Sequence, residues 1–129
     1  MQVLAAVSIV VPDYDDGIAF FVGKLGWDVL EDIDQGRKRW VVVAPAGGQC
    51  RVVLARAETE AQRAAIGNQT GGRVGFFLNT DDFTRDHAAM VAAGVAFHED
   101  PRQEPYGTVA VWEDAFGNLW DLIEPAEAG

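Results

Sequence analysis

The chain is poor in the residues that build disulfides and metal clusters. It has one cysteine, Cys50, and two histidines, His87 and His98. A lone thiol cannot close an intrachain disulfide, so no disulfide framework holds this fold. Cys50 sits in a short apolar strand pattern, which predicts a buried and inert thiol. Basic residues are scarce too: ten Lys and Arg stand against twenty Asp and Glu, a net charge of −10. That balance excludes nucleic acid, whose phosphates need Lys and Arg, and an anionic membrane surface. It permits a cationic ligand. Long apolar runs are absent as well. The stretch from Val3 to Val11 is far too short to span a bilayer and has no basic flank. A cytoplasmic protein is the expectation.

What is present is an ordinary globular composition, 49% apolar and 23% charged over 129 residues, enough for one domain with a sizeable core. It is organised as two similar halves. In the first, the strand pattern Val7–Val11 leads to Asp13, a good N-cap. A helical pattern follows through Ile18, Phe21, Val22 and Leu25, stopped by Gly26. Strands are predicted at Trp27–Asp32, Arg39–Ala44 and Arg51–Ala55. In the second half, Val74–Leu78 reads as a strand. Thr80 or Asp81 caps a helix carrying Phe83, His87, Met90 and Val91, and Gly94 ends it. Strands follow at Val95–Asp100, Thr108–Glu113 and Leu119–Glu124, the last two joined through Asp114-Ala115-Phe116-Gly117.

The expected fold is therefore α+β, two tandem βαβββ modules whose sheets curve around a shared cleft, the kind of place where small ligands bind. Residues 1–129 form a single domain, with modules at 1–55 and 73–125. The linker between them, 56–72, carries a short helical pattern around Glu58 to Ile66.

Asp121 stands out. It is one carboxylate inside the apolar strand Leu119-Trp120-Asp121-Leu122-Ile123. A half-buried charge costs several kcal/mol unless something pairs with it. Alternation puts Trp120 on the helix side and Asp121 on the other.

Two stretches resemble the glyoxalase, bleomycin-resistance and extradiol-dioxygenase superfamily, the vicinal oxygen chelate fold. One is Val7 through Trp27, with Val-Ser-Ile-Val-Val-Pro-Asp-Tyr-Asp and the helix end Ala19-Phe20-Phe21-Val22-Gly23-Lys24-Leu25-Gly26. The other is Ala110 through Glu124, with Glu113-Asp114-Ala115-Phe116-Gly117-Asn118. Metal-dependent members use four ligands, and the resemblance places those positions on Ala6, Val52 or Val53, Arg73 and Asp121. Ala and Val offer no lone pair, and Arg is a permanent cation. No metal site and no cofactor are expected. Neither histidine has a partner at ligand spacing.

In this fold the first and last strands of a module are neighbours, so Arg73 is expected to pair with Asp121 where the metal would have been. Ser8, Trp40, Tyr106 and Trp112 complete the expected ligand-binding set, the hydroxyl lining the cleft and the rings stacking on a planar ligand. The resemblance implies a metal-free homodimer that binds a small organic ligand. The alternative it admits is a metal-dependent glyoxalase-type lyase or extradiol dioxygenase. Whether the protein is an enzyme stays open; Asp121 is the one candidate base for metal-free catalysis.

Overall fold

A computed structural model describes residues 1–127. The chain divides into two compact units, Met1–Ile66 and a second that begins at Gly67. Both are α+β, as expected. The helix predicted in the linker is real but belongs to the first unit.

In the first unit, β1 (Ala6–Val11) runs into Asp13, whose carboxylate accepts from the Tyr14 backbone N–H and starts α1 (Tyr14–Ile18). The helix does not continue regularly to Leu25. It passes into a π-helical turn, Ala19–Lys24, which places Phe20 and Phe21 edge to face in the core, 5.1 Å between ring centroids. Then come β2 (Asp28–Asp34), β3 (Arg39–Ala44) and β4 (Arg51–Arg56), in the spatial order β1-β4-β3-β2. β1 is parallel to β4 and the other pairs are antiparallel. Ile9, Val41, Val43 and Leu54 are buried together with Phe21. α2 (Glu60–Ala65) closes the unit, capped by the Thr59 hydroxyl. Cys50 lies just before β4 and is exposed, against expectation. The chain has only just left the Pro45-Ala46-Gly47-Gly48 turn there, so the strand that would have buried the thiol begins one residue later.

In the second unit, β5 (Val74–Asn79) is followed by α3 (Phe83–Ala92). Asp82 is the N-cap, not Thr80 or Asp81; its carboxylate accepts from the Arg85 N–H. Thr80 instead accepts from the Asp82 N–H and donates to the Asp86 carboxylate, bracing the same first turn. The strand expected over Val95–Asp100 is cut to β6 (Ala96–Phe97), because the chain bends at His98 and Pro101 has no N–H for the ladder. It re-enters as β7 (Arg102–Glu104), a strand not among those expected. β8 (Gly107–Glu113) and β9 (Leu119–Pro125) complete a five-stranded sheet, with β5 and β6 flanking the β8–β9 pair and β7 also on β8.

The β8–β9 turn is held by a buried carboxylate. Asp114, 4% exposed, accepts from the backbone N–H of Phe116 and Asn118, the Asn118 side-chain amide and the Trp120 indole, all at 2.9–3.0 Å. Hydrogen bonds to a charged group contribute more than neutral ones, and a buried group left unsatisfied costs ~1–3 kcal/mol. Asp114→Ala is expected to destabilise the protein by about 3 kcal/mol, measured by urea denaturation with the Trp fluorescence as the probe. A loss under about 0.5 kcal/mol, the range of an ordinary surface substitution, would contradict this role.

Candidate functional site

The Asp114 turn sets a register in which Trp112 faces Trp120, and Val111 faces Asp121. Across the parallel β5–β9 pair, Phe76 meets Trp120 and Phe77 meets Asp121. The pleat then sorts the side chains onto two faces. Trp112, Trp120 and Phe76 pack with the helix side: the two indoles stack at 4.8 Å, and Phe76 lies 4.7 Å from Trp120. Asp121, Val111 and Phe77 share the opposite face. Phe77 is 65% exposed there.

On that face Asp121 holds an unusual position. Its Oδ1 is buried and has no hydrogen-bond partner among the described residues. Buried polar atoms are nearly always paired, and an unpaired one points to strain or function. Burial pushes the Asp121 carboxyl above the ordinary aspartate value; Arg102 opposes the shift and Glu99 adds to it.

The expected Arg73–Asp121 ion pair is not formed. Arg73 is exposed, precedes β5, and has its carbonyl bonded by the Thr70 hydroxyl. The β5 residue beside Asp121 is Phe77, further along the strand, and a register shift between Val74 and Phe76 separates the strand start from it. The cation whose field reaches Asp121 is Arg102, on the strand that the sequence did not reveal. Arg102 is already committed: its Nε lies 2.9 Å from Glu99 Oε1 and its Nη1 2.8 Å from Glu104. Glu99 also accepts the Val111 N–H at 3.2 Å, filling the ladder position left open between β6 and β7. Arg102-Gln103-Glu104 contains no apolar residue, so no apolar–polar alternation marked this strand ahead of the Pro105-Tyr106-Gly107 turn.

The other expected residues divide. Trp112 is fully buried and cannot meet a ligand from its place on the helix side. The alternation that put Trp120 in the core applies to Trp112 once the hairpin register is known. Tyr106 is 52% exposed at the β7–β8 turn, its hydroxyl 3.4 Å from Arg102. His98 is 3.0 Å from Glu113 on the surface, and His87 stacks on Phe83 and packs against Phe97.

In the first unit, Ala6, Ser8 and Val53 share the face opposite the helix, since Ser8 pairs with Val53 and Ala6 with Arg51. Val52 points into the core, so Val53 is the residue that stands beside Ala6. Trp40 is on the same face, since Val42 pairs with Val53. Its indole donates to Glu31 at 2.9 Å.

A family-type metal ion does not fit these residues. Ala6 and Val53 present hydrocarbon, and Arg73 is cationic and outside the strand. Among the described residues no group of three or more His, Cys, Asp or Glu could hold an ion.

Each unit follows its first strand with a helix and sets that strand parallel to the last strand of its sheet. The family model for the Glyoxalase/Bleomycin resistance protein/Dioxygenase superfamily matches residues 3–122, and the chain belongs to that superfamily. An uncharacterized protein of Shewanella frigidimarina is 50% identical over 126 residues, 95% of this chain and 93% of the relative. Among solved structures, UcmS2 is 29% identical with a TM-score of 0.84, covering 96% of this chain and 98% of its own. TnmS3, an antibiotic binding protein from Streptomyces sp. CB03234, is 29% identical with a TM-score of 0.80, covering 98% of each chain.

The Asp121 environment has a pH signature. Folding raises its affinity for a proton, so the native state binds more protons than the unfolded chain and stability falls as pH rises through this group. The penalty is absent below the unfolded-chain value and complete above the folded-state value. Asp121→Asn removes it. The variant is expected to be more stable than the native protein at about pH 7 and to lose that advantage near pH 3, below the usual aspartate range. Urea denaturation at the two pH values checks this; an advantage of equal size at both would contradict it.

Proposed function

We propose that this protein binds a small, flat organic molecule and holds it intact, without a metal ion. Asp121 carries the proposal. At the position where metal-dependent relatives place a carboxylate ligand, this chain has a buried acceptor oxygen with no protein partner, and the other family positions contribute no donor atoms. The residue is half-buried beside exposed Phe77, and a ligand N–H or O–H that reached Oδ1 on seating there would supply the partner it lacks. Phe77, its exposed neighbour in register, offers a ring for stacking. The similarity to TnmS3, described as an antibiotic binding protein, supports the same reading.

Ala6, Val53 and Arg73 offer no donor atoms that could join Asp121 around an ion, and chemistry on vicinal oxygens needs an ion to polarise them, so the residues present suit binding better. We also take the protein to work as a homodimer. β1 and β2 are open edges of the first sheet, and open edges invite symmetric pairing. Sedimentation at twice the chain's mass would support this, and sedimentation as a monomer at micromolar concentration would not.

The test is titration of the purified protein with a panel of planar polycyclic antibiotics. Saturable binding without consumption of the compound is expected, with amide shifts at Phe77, Val111 and Asp121. Phe77→Ala should weaken it about tenfold, the loss of one good aromatic contact. Stoichiometric Zn, Ni, Mn or Fe in protein purified without chelators, or turnover of a bound compound, would favour the metal-dependent lyase or dioxygenase instead.

A further inference from the structure

The first unit carries an open depression of about 580 Å³ at one end of its sheet. Small-molecule sites span ~300–1,000 Å³. Its lining is of two kinds. Trp40, Val10, Val53 and Ala55 are apolar, and Lys38, Arg39 and Arg56 are cationic, with Glu58 the one carboxylate among the lining residues. Three of the ten basic residues of a chain with net charge −10 therefore meet at one place.

These groups are held in position. The Arg39 and Arg56 guanidinium carbons lie 5.5 and 5.1 Å from the centroid of the buried Tyr14 ring, within cation–π range. Arg39 is further pinned by Asp32 at 2.7 Å and Asp15 at 2.9 Å. The Trp40 ring is oriented by its bond to Glu31 and stays 38% exposed.

The donors are not used up. Arg56 commits only Nη2, to the Arg37 carbonyl at 2.9 Å and Glu58 at 3.1 Å. Its Nε and Nη1 make no hydrogen bond among the described residues, and Lys38 makes no ion pair there. Fixed guanidinium donors without acceptors, beside an oriented exposed indole, are complementary to a negative group carried on a flat ring. A cationic ligand would meet the unpaired Lys38 ammonium and the free edge of Arg56, Arg39 being already paired with Asp32 and Asp15.

We infer that this depression is a binding site for a small aromatic anion, with its ring against Trp40 and its carboxylate or phosphate taken by Lys38 and Arg56. All of its lining residues belong to the first unit, and the inference does not rest on the function proposed above.

Four naphthalene probes test it by isothermal titration and amide chemical shifts: 2-naphthoate, 2-naphthyl phosphate, 2-(hydroxymethyl)naphthalene and 2-(aminomethyl)naphthalene. At least one anion is expected to bind ten or more times tighter than the alcohol and the amine, with shifts at Lys38, Trp40 and Val53. Which anion binds tighter identifies the acid group. Its affinity should fall with added salt and drop at least threefold in Lys38→Gln, an exposed substitution that leaves the fold intact. Equal or tighter binding of the amine, unchanged affinity in Lys38→Gln, or no binding of either anion would overturn the inference. Shifts confined to Phe77, Val111 and Asp121 would also overturn it while leaving the proposed function standing.

Discussion

Four N–H groups converge on the Asp114 carboxylate, and the layout of the second sheet depends on that convergence. By tying Phe116, Asn118 and the Trp120 indole to one buried acid, the turn fixes which residue of β8 stands opposite which residue of β9. A slip of one residue would turn every side chain of β9 over relative to β8. Trp120 would turn outward and Asp121 would enter the core. A buried charge with four donors is strongly favoured, whereas a buried charge with none is strongly disfavoured. The pairing at Asp114 is thus what keeps Asp121 on the open face.

Asp121 in turn is stranded there. The cation with an effect on it, Arg102, is held by Glu99 through Nε and by Glu104 through Nη1, and makes no hydrogen bond to Asp121. Glu99 does two jobs, gripping Arg102 and replacing a missing strand at Val111. Releasing Arg102 to satisfy Asp121 would break its pairs with Glu99 and Glu104. The fold tolerates one raised, partly buried carboxyl in exchange for a well-tied β6–β8 region, and the untied acceptor is left for whatever binds the face. Ala6, Val53 and Arg73, expected from the resemblance to stand with Asp121, bring hydrocarbon and positive charge and no donor atom for an ion.

Much of this was legible in the amino-acid order. The two-module repeat, the Asp13 cap, the place of Phe21 on the first helical pattern, the helix side of Trp120 and the outward side of Asp121 all follow from local periodicity. What escaped depends on which strand lies beside which, and in what register. Arg73 is near Asp121 only if β5 and β9 align without the observed shift. Arg102 becomes visible only once β7 is recognised as a strand. Trp112 was assigned to a ligand because its partner in the hairpin was unknown, although the buried position of Trp120 implies its own. Cys50 was misplaced by a single residue at a turn. The cationic depression was invisible because Tyr14, Arg39 and Arg56 are brought together by tertiary packing alone, and Arg37-Lys38-Arg39 reads in isolation as a solvated hairpin start.

The carboxyl carbon resonance of Asp121, followed by NMR through an acid titration, tests the central claim most directly. A carboxyl that is desolvated and unpaired must titrate above the ordinary aspartate range, and the account predicts a midpoint displaced upward. A midpoint at or below that range would mean that a cation pairs with Asp121 after all, and the picture of a free acceptor awaiting an organic ligand would be wrong.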